Sequence, residues 1–243
     1  MNPLLMLKWC GQVRWGFVII ISLVVASAQQ PTQTNDSEEL QRILSRMDQT
    51  AANFRTTQAK FVWDQYQKVV DEHDFQKGTV YFRRSGSEVQ MAADITDPAP
   101  PKYVLFTDSK VEIYRPKIDE LTRFNTGKDR AAFESFLVLG FGGSGRDMVK
   151  SFNVKYLGSE KVDGVDTAKL ELVPKSTKVR NTFDHTWLWI DPTRGVSVQQ
   201  QLFEPSGDYR LAKYSDIQLN QKIPDTVFKL KTTGKTKVVT PQG

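Results

Sequence analysis

Three glycines near the middle of the chain have the spacing of a nucleotide-binding turn. In the stretch LGFGGSGRD, Gly140, Gly142 and Gly145 fit the pattern G-x-G-x-x-G. That pattern binds a pyrophosphate when it follows a strand and opens a helix within a βαβ unit. The stretch also approaches a phosphate-binding loop, but Arg146 and Asp147 stand where such a loop has lysine and serine or threonine.

The sequence around these glycines does not fit a nucleotide site. The segment Ala132–Leu139 has its apolar residues at helical spacing, so a helix is predicted before the glycines, and antiparallel strands are predicted after them. In addition, the carboxylate of Asp147 would repel a phosphate group. We therefore interpret the glycines as a flexible hinge at the end of this helix, because glycine has more backbone freedom than other residues. The predicted hinge consists of Gly140, Gly142, Gly143 and Gly145.

Residues that commonly carry out catalysis or bind metals are scarce in this chain. It has two histidines, His73 and His185, which are far apart and lie in no catalytic motif, and a single cysteine, Cys10. Ser144 lies among glycines, but Arg146 breaks the G-x-S-x-G pattern of a nucleophile turn. We therefore predict that the protein is not an enzyme and has no catalytic residues, no metal site and no cofactor.

The N-terminal residues have the pattern of a secretory signal peptide. Two basic residues, Lys8 and Arg14, precede the uncharged apolar run Trp15–Val25, which is followed by the small-residue site Ala26-Ser27-Ala28. A membrane anchor is the alternative, but a helix needs about 20 apolar residues to span a bilayer, and this run is shorter. We expect cleavage after about Ala28, which leaves a signal peptide at residues 1–28 and a single domain at residues 29–243.

The amino-acid composition limits the cellular compartment and the kinds of binding partner that we expect for this protein. Because Cys10 precedes the apolar run, the expected mature chain has no cysteine and no lipoprotein anchor site. An exported protein without disulfides fits the bacterial periplasm better than an animal secretory route. The net charge of +5 is spread along the chain, whereas nucleic-acid binding requires a clustered basic surface. We expect a periplasmic monomer that does not bind nucleic acid.

The periodicity of apolar residues predicts one N-terminal helix and a long series of strands. In Asp36–Phe54 apolar residues recur at intervals of three and four, as on one face of a helix that Asp36 would cap. Turn residues about every 8–12 positions predict an antiparallel meander elsewhere. A helical turn is predicted at Asp147–Phe152. The predicted strands are Lys60–Tyr66, Gly78–Arg84, Glu88–Ile95, Lys102–Thr107, Lys110–Tyr114, Glu120–Phe124, Asn153–Val162, Val165–Val173, Thr182–Ile190, Val196–Phe203 and Tyr209–Leu219.

The predicted sheet has an apolar face that must be covered. Side chains alternate along a strand, so Val80, Phe82 and Arg84 share one face of their strand, and Val89 and Met91 share one face of the next. Two or three short helices cover a sheet of this length incompletely, which predicts a residual apolar cavity.

Four lysines near the C-terminus predict a solvated tail or an edge strand, with contact to an acidic partner or to lipid headgroups as the alternative; they are Lys229, Lys231, Lys235 and Lys237.

Five segments of the sequence, taken in chain order, resemble the pattern of a known protein family. They are NFRTTQAKFVWDQY after the first helix, then GTVYFRRSGSEVQM, PKYVLFTDSKVEIYRP and LELVPKST, and finally TFDHTWLWIDPTRGVSVQQQLFEPSGD. Together they resemble the LolA-like family of periplasmic outer-membrane lipoprotein carriers, over most of the mature chain. The matching motifs are patterns of β-structure rather than catalytic signatures. The chain departs from the family at Ser85, where proline is usual, and at Glu88–Met91, where the family is rich in aromatic residues.

The resemblance implies both a fold and a function. The fold is mainly β with a few α-helices, in which a strongly curved antiparallel sheet forms an incomplete (half) β-barrel with a helical lid. The function is that of a carrier, which shields lipoprotein acyl chains in an apolar cavity and ferries them from the inner to the outer membrane. The implied partners are acylated lipoproteins or other lipids, an inner-membrane release complex and an outer-membrane acceptor. The alternatives are a lipid- or lipoprotein-sensing regulatory module on the same scaffold, and an envelope-assembly protein without a cavity.

Strand alternation and the resemblance together predict the residues of the cavity. Arg84 matches a family arginine, and we expect it to bond to carbonyl groups of the lid or to a carboxylate. The alternative is that Arg83 or Arg84 is only a charge at the end of a strand. The predicted lining consists of Val80, Phe82, Arg84, Val89, Met91, Leu105, Phe133, Phe136, Leu137 and Phe141.

Overall fold

Alternating apolar and polar side chains form one large sheet. The computed structural model describes residues 33–86, 88–107, 110–125 and 139–241. The strands within these ranges are β1 (Thr56–Gln67), β2 (Glu72–Ser85), β3 (Glu88–Asp97), β4 (Lys102–Thr107), β5 (Lys110–Arg115), β6 (Glu120–Asn125), β7 (Phe152–Val162), β8 (Val165–Pro174), β9 (His185–Asp191), β10 (Val196–Phe203), β11 (Tyr209–Leu219) and β12 (Lys237–Val239).

The strands lie in the order β12-β6-β5-β4-β3-β2-β1-β11-β10-β9-β8-β7. Within β1–β6 and within β7–β11, strands that follow one another in the chain pair antiparallel. The strand β1 also pairs antiparallel with β11, which joins the two halves of the sheet. The sheet is curved and does not close, because β7 and β12 do not pair with each other. The prediction of a mainly β fold with an open antiparallel sheet is therefore confirmed. The strand β12 pairs parallel with β6, an arrangement that local sequence patterns did not indicate.

Helices among the described residues are few. They are α1 (Gln33–Asn53), α2 (Gly145–Ser151) and α3 (Thr177–Arg180). The prediction that Asp36 caps α1 is wrong, because the helix already includes Gln33. Asp36 lies instead in the first turn, where a carboxylate interacts favourably with the helix dipole. No helix in the described part of the chain is long and apolar enough to cross a membrane.

One face of the sheet, which we call the helix face, packs against α1 and α2. The apolar stripe of α1 is buried there, as its spacing of three and four residues requires. This packing positions residues 139–144, which directly precede α2, against the sheet. The cluster consists of Ile43, Leu44, Met47, Leu139, Met148, Phe152, Ala168, Leu170, Leu172, Leu188 and Ile190.

The opposite face is covered in part by the C-terminal segment, residues 220–236. After β11 this segment crosses β2, β3 and β4, where Phe228 packs on Ala92 and Leu105. Arg83 fixes it from the sheet side: its guanidinium lies 2.6 Å from the carboxylate of Asp225 and 4.1 Å from the ring centre of Phe228. The segment then continues into the edge strand β12.

Candidate functional site

An apolar wall on the helix face contains five of the predicted cavity residues. Val80 and Phe82 on β2 and Val89 on β3 are buried in one cluster, and Met91 packs against it. Phe141 belongs to the same cluster although it comes from a loop. Its ring is fully buried and stacks on Phe82, with ring centres 5.1 Å apart.

The glycine loop, residues 139–145, places Phe141 against this wall. Gly140 and Gly142, on either side of Phe141, have φ angles of +85° and +83°, a conformation that favours glycine. The carbonyl of Gly140 accepts a hydrogen bond from the backbone N–H of Ser197 at 3.0 Å, and the Gln200 amide donates to the carbonyl of Leu139. These two hydrogen bonds attach the glycine loop to β10 directly before Phe141.

Close packing gives these glycines a role besides flexibility. A β-carbon on Gly140 would overlap the Ser197 side chain. At Gly142 it would lie 2.7 Å from the ring of Phe54, and at Gly145 it would lie 2.5 Å from the carbonyl oxygen of Leu44. These contacts favour a fixed loop at Gly140, Gly142 and Gly145. The hinge that we assigned to Gly140, Gly142, Gly143 and Gly145 stays a prediction.

The end of the glycine loop starts α2 rather than a nucleotide site. Ser144 caps the helix, because its Oγ accepts a hydrogen bond from the N–H of Asp147 at 3.0 Å. Lys150 and Ser144 both donate to the Asp147 carboxylate, which lowers the pKa of Asp147 below its ordinary value. Asp147 is thus an anion at neutral pH, which disfavours phosphate there. Arg146 pairs with Asp48 of α1 at 3.1 Å.

The two neighbouring arginines of β2 lie on different faces of the sheet. Arg84 is exposed, and it donates a hydrogen bond to the carbonyl of Gly142 at 2.9 Å. Its guanidinium also lies 5.7 Å from the ring centre of Phe54. Arg83 contacts the C-terminal segment on the opposite face. Arg84 is therefore the arginine on the side of the glycine loop, although it is not buried as a cavity arginine would be.

One other predicted lining residue, Leu105, does not join this cluster. Leu105 pairs with Ala92 and packs under Phe228 on the opposite face, so it does not lie with Val80 and Phe82. The reason is strand alternation, since Val104, and not Leu105, packs against the helix-face cluster. The remaining three predicted lining residues lie outside the described residues; they are Phe133, Phe136 and Leu137.

Sequence reasoning did not single out several buried residues of the site. Phe54 ends the helical stripe and is buried in the cluster with Phe141. Tyr214 meets Phe141 edge-on, with ring centres 4.8 Å apart, and burial raises the pKa of the Tyr214 hydroxyl. The buried hydroxyls of Thr57 and Thr186 have no hydrogen-bond partner among the described residues. Alternation along β1 and β11 could have identified Tyr214, which pairs with Phe61.

The arrangement on the helix face is suited to apolar binding rather than to chemistry. The Tyr214 hydroxyl packs against this cluster, and burial raises its pKa, which keeps it protonated. His73 and His185 lie elsewhere, each 2.8 Å from a carboxylate and in contact with Tyr66 and Phe203, respectively. In the part of the chain that the structure describes, no group of three or more His, Cys, Asp and Glu side chains could hold a metal ion.

Solved structures share this fold at low sequence identity. An uncharacterized conserved protein from Thermus thermophilus is 12% identical, with a TM-score of 0.51, and the match covers 84% of this chain and 99% of that one. MucB is 14% identical, with a TM-score of 0.50, over 86% of this chain and 66% of MucB. MucB also occurs in a solved Pseudomonas aeruginosa MucA/MucB complex, matched at 14% identity over 81% of this chain and 61% of that one, with a TM-score of 0.46.

A LolA superfamily protein, NE2245 from Nitrosomonas europaea, is also a neighbour. It is 16% identical over 79% of this chain and 97% of that chain, with a TM-score of 0.39. Neither a family model nor a curated protein sequence matches this chain. The fold assignment rests on the two structures with TM-scores of 0.50 and 0.51. The chain therefore has the fold of MucB and the Thermus thermophilus protein.

Proposed function

We propose that this protein is a periplasmic carrier that shields lipoprotein acyl chains on its helix face and ferries them from the inner to the outer membrane. The observation that carries the proposal is the apolar wall of β2 and β3, which a loop side chain, Phe141, covers in the structure. A loop can leave such a wall without breaking the sheet. The resemblance of the sequence to lipoprotein carriers supports the same interpretation.

Burial of an acyl chain supplies the free energy to displace Phe141 from the apolar wall. Burying one methylene group contributes about 0.8 kcal/mol, so a single long chain brings on the order of 10 kcal/mol. An acyl chain on Val80 and Phe82 would replace the contact that Phe141 makes in the structure. We propose that the predicted lid residues take part in the same exchange; they are Phe133, Phe136 and Leu137.

Arg84 lies where it can hold the glycine loop over the apolar wall. Its hydrogen bond to the Gly142 carbonyl stabilises the loop over the wall, so cargo must compete with the bond. A carrier needs such competition, because a cavity that binds too tightly does not release its cargo. We propose that the glycine hinge and the Arg84 bond together set the balance between the covered and the open wall.

The Arg84→Leu substitution is expected to tighten cargo binding and slow its release. Loss of one solvent-exposed hydrogen bond favours the open loop, and we expect about a threefold to tenfold increase in apparent affinity. Binding of a tripalmitoylated peptide, measured by fluorescence anisotropy, tests this expectation. Arg83→Leu is the matched control, because Arg83 lies one position away on the opposite face. Equal affinity and release for the Arg84 variant and the unmodified protein would remove Arg84 from the mechanism.

Native mass spectrometry tests the proposed function itself. Delipidated protein is mixed with a tripalmitoylated peptide or with the same peptide lacking its acyl chains. We expect a one-to-one complex with the acylated peptide only, because the apolar wall recognises the chains and not the peptide. A spectrum that shows only free protein with both peptides would contradict the carrier function.

The second candidate function is a lipid- or lipoprotein-sensing regulatory module. The fold shared with MucB favours it, since MucB occurs in a complex with MucA. Transfer to vesicles distinguishes the two candidates. A carrier loaded with acylated peptide delivers it to phosphatidylethanolamine vesicles, whereas a sensing module retains it and needs a protein partner for its output.

A further inference from the structure

A cavity of about 700 Å³ is lined by no residue of the glycine loop. It is bounded by strands β1, β2, β10 and β11 and by the turns that join β7 to β8 and β9 to β10. Lys60 and Thr79, which line it, pair across β1 and β2 and alternate with Ala59 and Val80 of the helix-face cluster. The cavity therefore opens mainly on the opposite face of the sheet, and Tyr214 is a lining residue that also contacts Phe141. A ligand in this cavity is distinct from the acyl chains that we propose for the helix face.

The two walls of this cavity have different chemistry. Gln58, Ser215 and Gln218 form a polar wall, and their side chains make no hydrogen bond to another described residue. An amide or a hydroxyl both donates and accepts hydrogen bonds, so these groups match a ligand that does the same. The other wall is apolar and consists of Val162, Val165, Val198 and Ile217.

The charged groups at the cavity are already paired. Lys60 lies 2.7 Å from Asp216, and Arg194 lies 2.6 Å from Asp191. Asp163, at the β7–β8 turn, lies 3.7 Å from Lys213. With each of these cations next to a carboxylate, the cavity offers no excess charge to an ionic ligand. A neutral ligand is therefore favoured.

An unpaired donor lies behind the apolar wall. Trp189 is 3% exposed and shares a packed cluster with Val162 and Val198. Its indole N–H has no hydrogen-bond partner within the described ranges, which is unfavourable for a buried donor. Trp189 does not itself line the cavity, so its fluorescence reports on the packing of this wall.

We propose that this cavity binds a neutral sugar unit. A pyranose ring carries hydroxyl groups around its edge and presents apolar C–H groups on its face, so it complements a polar wall opposite an apolar one. An acyl chain fits poorly, because it would bury the amides of Gln58 and Gln218 without partners. The volume lies within the range of about 300–1,000 Å³ typical of small-molecule sites, and it accommodates more than one sugar ring.

Isothermal titration with maltose and with N,N′-diacetylchitobiose tests the sugar site. We expect one saturable site for at least one of these disaccharides, with a change in tryptophan fluorescence because Trp189 lies behind the wall. Ser215→Trp fills the cavity from an exposed strand position, and we expect it to weaken binding by about tenfold or more. Ser159→Trp, at an exposed position of β7 outside the cavity, should bind like the unmodified protein.

A second variant covers the case in which Ser215→Trp does not fold. Gln218→Ala removes one exposed amide and should weaken binding about fivefold to tenfold, the loss expected for one hydrogen bond. The proposal is overturned if neither disaccharide binds at about 10 mM, a concentration above that of weak specific binding. It is equally overturned if binding is unchanged in Gln218→Ala and in folded Ser215→Trp, or if palmitate or a short peptide occupies the cavity and the sugars do not.

Discussion

Replacing Phe141 with alanine is expected to lower the free energy of unfolding by about 3–5 kcal/mol. The ring is fully buried, and it contacts Phe82 and Tyr214 at ring-centre distances of 5.1 and 4.8 Å. Its removal leaves a void between the glycine loop and the sheet. The loop cannot easily collapse into this void, because its backbone is bonded to Ser197 of β10. Urea unfolding followed by tryptophan fluorescence measures the loss.

Phe75→Ala is the matched control for this experiment. Phe75 is 52% exposed on β2, so its truncation should cost less than about 1 kcal/mol. If both variants lose the same small amount, Phe141 does not pack on the wall and the glycine loop does not cover the helix face in solution. The folded Phe141→Ala variant should also take up acylated peptide more readily, because cargo no longer competes with the ring.

Replacing Gly140 with alanine is expected to destabilise the protein by about 2–5 kcal/mol, for two separate reasons. The left-handed conformation at φ +85° costs a residue with a β-carbon about 1–2 kcal/mol. The added methyl group would also overlap the side chain of Ser197, and overpacking of a buried site costs about 1–3 kcal/mol. Thermal or urea unfolding measures the sum.

Gly164→Ala separates the two contributions. Gly164 has nearly the same φ, +86°, but a β-carbon there would meet no atom within 4 Å. This variant should therefore show only the conformational cost, about 1–2 kcal/mol. The difference between the two variants measures how closely the glycine loop packs on β10. Equal losses would mean that Gly140 is not in contact with Ser197, and a freely moving hinge would then be the better description of the loop.

Both experiments bear on how the helix face opens. If Phe141 and Gly140 are as tightly packed as the structure shows, the covered wall is the stable state without cargo. Cargo binding must then displace a well-packed ring as well as the hydrogen bond of Arg84. The energy of acyl-chain burial is large enough for this, since about ten methylene groups contribute on the order of 8 kcal/mol.

Most strands could be predicted because the signals that define them are local. Alternation of side chains and turn residues located β4 at Lys102–Thr107 and β10 at Val196–Phe203 with the observed bounds. The hairpin turn at Asp163 and Gly164 was equally clear, since both residues have positive φ, as a type I′ turn requires. Alternation also placed Val80 and Phe82 on the face where Phe54 and Phe141 bury them.

Local signals failed where both sides of a segment are apolar. The strand β4 has the sequence KYVLFT, with apolar residues on both faces, so alternation could not assign Leu105 to either face. The structure places Leu105 under Phe228, more than a hundred residues away in the sequence. The cavity between the β7–β8 turn and β1 is a similar case, because its walls come from distant segments.

For the glycines of LGFGGSGRD, the sequence answered one question and the tertiary structure another. The sequence by itself determined that they do not form a nucleotide site, because a strand-to-helix context is absent and Asp147 carries negative charge. Only the tertiary structure decided why glycine occupies these positions. Ser197, Phe54 and Leu44 leave no space for a β-carbon at Gly140, Gly142 and Gly145, respectively. Periodicity is a property of neighbouring residues, whereas close packing depends on chain segments that meet only in the folded protein.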